Sequence, residues 1–111
     1  MTKEEAISHL RHYRRMACVR HSCATFTCQQ NHFKRCVYRD YLISELIRRI
    51  NQSEEDPIRV VSNFAWELEY ILGEADDSHF ETLAFTRVME SEACCIERSL
   101  REKEKKLNEN Y

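Results

Sequence analysis

Between residues 18 and 36 the chain carries the side-chain types that a tetrahedral zinc site uses. Cys18 and His21 are three positions apart, and Cys28, His32 and Cys36 follow at steps of four. On a helix such spacings place side chains on one face. Cys18, His21, His32 and Cys36 together form a candidate Cys2His2 zinc set, which would staple one end of a small fold. The alternative is that the thiols are ordinary small buried groups, since no Cys-x-x-Cys pair is present. Cys23 and Cys28 fall in a connection. Cys94 and Cys95 are neighbours on a helix, about 100° apart around its axis. One is expected toward the core and the other toward the flank, with no redox role, because a bridge between them would be strained.

No other catalytic constellation assembles. The chain has no P-loop, no G-x-G-x-x-G and no G-x-S-x-G. It lacks the Glu-x-x-His pairs of helical di-iron sites. The reading is a non-enzymatic protein with no cofactor other than the zinc considered above.

The elements that hold these residues are helices. Charged residues are 32% and hydrophobic ones 42% of the chain, a globular balance. One Gly and one Pro in 111 residues leave little material for sharp turns. Thr2-x-x-Glu5 is a capping box that opens a first helix over about 2–21, whose inner face is Ile7, Leu10, Tyr13 or Arg14, and Ala17. A second helix over about 32–51 carries Phe33, Val37, Ile43, Leu46, Ile47 and Ile50. Asp56-Pro57 starts a third, with Ile58, Val61, Ala65, Leu68 and Leu72 at steps of 3, 4, 3 and 4, and Gly73 ends it as a C-cap. A fourth runs over about 78–106, lined by Phe80, Leu83, Ala84, Val88, Cys95 and Leu100, and the charged segment 101–111 is expected to fray. The prediction is a single all-α domain, an antiparallel up-down bundle of two αα-hairpins.

Antiparallel registers sharpen it. If facing residue numbers in the first hairpin total about 54, Ile7 meets Ile47, Leu10 meets Ile43, Arg14 meets Asp40, and Cys18 meets Cys36. A total near 150 in the second sets Val61 against Met89 and Ala65 against Phe85.

Charge is split between the halves. Residues 1–50 hold ten Lys/Arg against four Asp/Glu, whereas residues 51–111 hold seven against fifteen, for a net charge of −2. One reading is attraction between hairpins within the molecule or in a head-to-tail dimer; the other is a partner surface. On the basic side Arg11, Arg14, Arg15, Arg20, Lys34, Arg35 and Arg39 could contact phosphates, with Tyr13, Phe33 and Tyr38 among them. A pI near 6.2 is far from that of a dedicated nucleic-acid binder, so nucleic acid ranks below protein as a partner. Trp66 and Tyr70, four apart and away from the stripe of the third helix, would form a protein interface if exposed. The alternative is a wider core stripe that also takes in Phe64 and Ile71. A homodimer fits either arrangement.

Asp56-Pro57-Ile58, Val60-Val61, Phe64 and Leu68, followed by a second apolar helix, resemble small uncharacterised helical proteins of Gram-positive bacteria and their phages. The resemblance covers about the second half of the chain and brings no catalytic residues. It implies a setting in which small proteins regulate or inhibit larger ones by binding them, anti-CRISPR proteins being an analogue. No apolar run approaches the roughly 20 residues of a membrane span, and the polar start Met1-Thr2-Lys3-Glu4-Glu5 is not a secretory signal. A cytoplasmic, reducing setting with no membrane partner is therefore expected.

The zinc set is checked by metal analysis of untagged protein purified without chelator. If the four residues hold zinc, about one equivalent per chain is found, and less than about a tenth would leave them as ordinary thiols and imidazoles.

Overall fold

A computed structural model describes residues 1–19, 33–74 and 80–109, with side chains described at 1–16, 37–74 and 86–109. They form four helices and no strand: α1 (Lys3–Val19), α2 (Phe33–Gln52), α3 (Pro57–Glu74) and α4 (Phe80–Glu109). The closest pairings are α3 with α4 and α1 with α2, and α2 and α4 bring the two hairpins together.

The helix starts follow from local chemistry. Thr2 Oγ1 accepts a hydrogen bond from the Glu5 amide at 3.1 Å, which satisfies a donor the helix itself cannot. Asp56 Oδ2 does the same for the Ile58 amide at 3.2 Å, and Pro57, with no amide hydrogen to lose, occupies the first helical position. The far end of α3 differs from expectation. Gly73 is not a left-handed cap: it has no positive φ, and α3 continues through it to Glu74.

One core joins all four helices. It contains Ala6 and Leu10 of α1, Leu42, Ile43, Leu46 and Ile50 of α2, Ile58, Val60, Val61, Phe64, Ala65 and Leu68 of α3, and Met89, Ala93, Ile96 and Leu100 of α4. Ile7, Tyr13 and Ile47 pack against its edge. The expected stripes need three corrections. Val37 is exposed, and Leu42 takes the inner position on α2. Cys95 is exposed along with Cys94, because the inner face of α4 runs Met89, Ala93, Ile96, Leu100 at steps of 4, 3 and 4. Ile71 is half-exposed, whereas Phe64 is buried. The α1–α2 register is as expected. Arg14 Nε lies 2.8 Å from Asp40 Oδ1, and Lys3 Nζ donates to the Asn51 carbonyl at 3.4 Å, both at a total of 54. Val61 and Met89 lie in the same core; Phe85 lies outside the residues with described side chains.

Two charges are buried inside this apolar stack. Arg39 is 6% exposed and Glu92 3%. Arg39 Nε donates to Glu92 Oε2 and Nη2 to Oε1, each at 3.1 Å, a two-pronged match of guanidinium to carboxylate. The pair ties α2 to α4, and so one hairpin to the other. A second tie lies nearer the surface. Arg49 Nη1 reaches Glu67 Oε2 on α3 at 3.1 Å, with its guanidinium carbon 4.3 Å from the Phe64 ring centroid.

Removing one member of the buried pair leaves the other charge without its partner in a low-dielectric site. Arg39→Met or Glu92→Leu alone should cost about 3–5 kcal/mol in urea denaturation. The double variant should cost clearly less than the sum of the two. Additive losses would mean that the two residues act separately.

Candidate partner-binding surface

The core stripe of α3 dictates what its opposite face displays. With Ile58, Val61, Ala65 and Leu68 turned inward, residues 59, 63, 66, 70 and 73 form a second line at steps of 4, 3, 4 and 3 on the far side. All five are exposed. At its centre Trp66 and Tyr70, 66% and 58% exposed, stack on each other with ring centroids 6.0 Å apart and planes 24° apart. The core stripe of this helix lies between the two considered, since Phe64 joins it and Ile71 does not. Arg59 lies about two turns before Trp66 on one side. Gly73 lies to the other, and among the described residues a Cβ built there would meet nothing within 4 Å. Asn63 Nδ2 donates to Glu55 Oε2 at 3.4 Å. The bundle draws little of its packing from this aromatic pair, whose residue types dominate interface hot spots.

The basic residues are more dispersed than their numbers suggest. Arg11 and Arg15 are exposed and make no ion pair among the described residues. Arg14 is engaged by Asp40. Arg39 does not belong to a phosphate-contacting set: it is buried against Glu92. Arg48 is held by Glu45 and donates to Gln52 Oε1 at 2.9 Å, while Arg49 bridges Glu45 and Glu67. The hydrogen bond from Arg48 draws the Glu45 carboxyl down to about 2. Arg20 lies outside the described residues, as do the side chains of Lys34 and Arg35 on α2.

The zinc set also falls outside. His21 and His32 are not among the described residues, nor are the side chains of Cys18 and Cys36. Among the described residues no group of three His, Cys, Asp or Glu could hold a metal ion. Cys94 Sγ donates to Glu90 Oε1 at 3.2 Å. Desolvation, and then that hydrogen bond, push its thiol up to about 11, so at neutral pH it is protonated and a poor nucleophile. Described grooves along the end of α4 and beside the α2–α3 connection are open and lined largely by charged side chains. No described helix is long and apolar enough to cross a membrane.

Sequence reasoning missed Arg39 and Glu92 as interior residues. The available signal was positional, since each falls in the inward line of its helix, Arg39 before Leu42 and Leu46, Glu92 between Met89 and Ile96. It also missed His9, whose Nε2 shares a 2.7 Å hydrogen bond with Ser99 Oγ across α1 and α4.

Comparison of the chain with family models, curated proteins and solved structures finds no match.

His9 gives a pH test of the bundle. Its pKa is lowered, first by partial burial, then by the charges of Lys103 and His12. The unfolded chain therefore takes up this proton before the folded one, and stability falls as pH drops below the ordinary 6.5. Glu45 acts in a separate window, between 4.5 and about 2. The urea midpoint should fall between about pH 7 and pH 5, and His9→Gln should flatten that part of the curve. An equal slope in the variant would assign it to other groups.

Proposed function

We propose that this protein acts by stoichiometric contact with a protein partner, through the outer face of α3, and not by catalysis. The observation that carries the reading is the Trp66–Tyr70 stack. It is more than half exposed on a helix whose other face already fills the core. Aromatic area left in water costs free energy that a partner recovers by covering it. The resemblance of the second half to small phage-associated helical proteins supports a role as a regulator or inhibitor, with anti-CRISPR proteins as an analogy of setting and not of mechanism.

Nucleic-acid binding through the first hairpin is the second reading, favoured by the exposed Arg11 and Arg15. It is weaker, because Arg14, Arg39, Arg48 and Arg49 are each neutralised by a carboxylate. Arg11 and Arg15, the described arginines of the first hairpin that make no ion pair, give by themselves a small phosphate footprint and a correspondingly shallow salt dependence.

The two are separated by capture from extracts of the native host. Trp66→Ala/Tyr70→Ala should keep the circular dichroism of the parent and lose a stoichiometric protein partner by at least about tenfold. Arg11→Glu/Arg15→Glu should retain that partner. Equal capture by the aromatic double variant would overturn the reading. Salt-sensitive nucleic-acid binding abolished by the arginine variant would replace it.

A further inference from the structure

We infer that the outer face of α3 docks onto the same face of a second copy of this chain, antiparallel, about a two-fold axis beside Trp66. The inference rests on the protein-binding reading above and names one occupant for that surface.

The support is self-complementarity of the exposed line. In an antiparallel pair of identical helices, facing positions have numbers with a constant total. A total of 132–133 places Trp66 against its own counterpart, Asn63 near Tyr70, and Arg59 over Gly73 and beside Glu74. Each match is chemically apt. Two Trp66–Tyr70 stacks would meet at the centre and cover each other's apolar faces. The Asn63 amide would meet the Tyr70 hydroxyl, donor to acceptor. The long Arg59 side chain would cross above the only residue in the line without a Cβ. That crossing would give a use to a glycine at a helical position that nothing among the described residues requires.

Charge selects the orientation. Arg59 and Glu74 are exposed and make no ion pair among the described residues. The antiparallel arrangement brings each to its opposite on the second copy, twice over. A parallel one would set Arg59 against Arg59 and Glu74 against Glu74. The outward face of α2 also shows apolar groups, Val37 and Tyr41, but its cation Arg48 is already held by Glu45. The contact is small. An α3 of 18 residues is about 27 Å long, and one helix face falls short of the roughly 1,600 Å² of a standard interface. Association in the micromolar range or weaker is therefore expected.

Sedimentation equilibrium between about 1 μM and 1 mM tests it, that range bracketing weak interfaces. The mass should rise from the 13.4 kDa of the chain toward twice that value. Trp66 is the only tryptophan, so its emission should shift to the blue over the same concentrations. Trp66→Ala should abolish the rise. Arg59→Glu and Glu74→Arg should each weaken association by about tenfold, and the two together should restore it to within about threefold. A monomeric mass throughout would overturn the inference, as would a dimer indifferent to Trp66→Ala or one not restored by the charge exchange. A monomer that still captures a host protein through Trp66 and Tyr70 would end this inference and leave the broader reading standing.

Discussion

The buried contact between Arg39 and Glu92 decides how the two hairpins sit on each other. The apolar stripes alone are tolerant. Leu42, Leu46 and Ile50 on α2 and Ala93, Ile96 and Leu100 on α4 recur every three or four residues. Sliding one hairpin by a helical turn, about 5.4 Å, would again set apolar against apolar. It would also separate a guanidinium from the carboxylate that matches it and leave both charged in the interior. That penalty is several kcal/mol, although the pair itself adds little net stability over well-packed apolar residues. The pair therefore acts on the choice among packings more than on the depth of the chosen one.

The split in charge along the chain acquires a structural meaning from this. Arg39 and Arg49 lie in the basic half, and Glu92 and Glu67 in the acidic half. Of the cations that look like a phosphate-binding set in the linear sequence, Arg39 is part of the first hairpin's grip on the second, and Arg14 is held by Asp40 within the first hairpin. What remains outward on α3 is an aromatic pair, Trp66 and Tyr70, among exposed charged residues. The surface chemistry of the folded protein therefore differs from the chemistry suggested by counting charges.

Much of the architecture was legible before folding. Thr2 and Asp56-Pro57 mark helix starts through backbone donors that need partners, a local requirement. The α1–α2 register is legible because Arg14 and Asp40 sit at the same level as the apolar pairs. What escaped depends on the environment supplied by other helices. A stripe of apolar residues on α2 can be drawn through Val37 or through Leu42, and only the position of α3 and α4 decides. Arg39 was read as a surface cation because charge normally is, and Glu92, which no sequence signal singled out, reveals itself only beside Arg39. Gly73 is a residue type common to caps and to open helical faces. For Trp66 and Tyr70 the spacing identified the face, while exposure depended on how wide the core stripe proved to be.

The last two turns of α4 present a different physical situation. After Leu100 no described residue is buried, yet the helix runs on to Glu109. Glu97 and Arg101, 3.7 Å apart, bridge the transition. Starting a helix in water is the unfavourable step, and extending one already formed is nearly free for residues such as Glu, Lys, Arg and Leu. The bundle supplies the nucleus, and the segment beyond it inherits its order without adding to the core. Helicity and packing are therefore not the same quantity in this molecule. Warming withdraws helix from the outer turns of α4 inward while the interior stays intact, and a probe of backbone coil content and a probe of side-chain packing follow different curves.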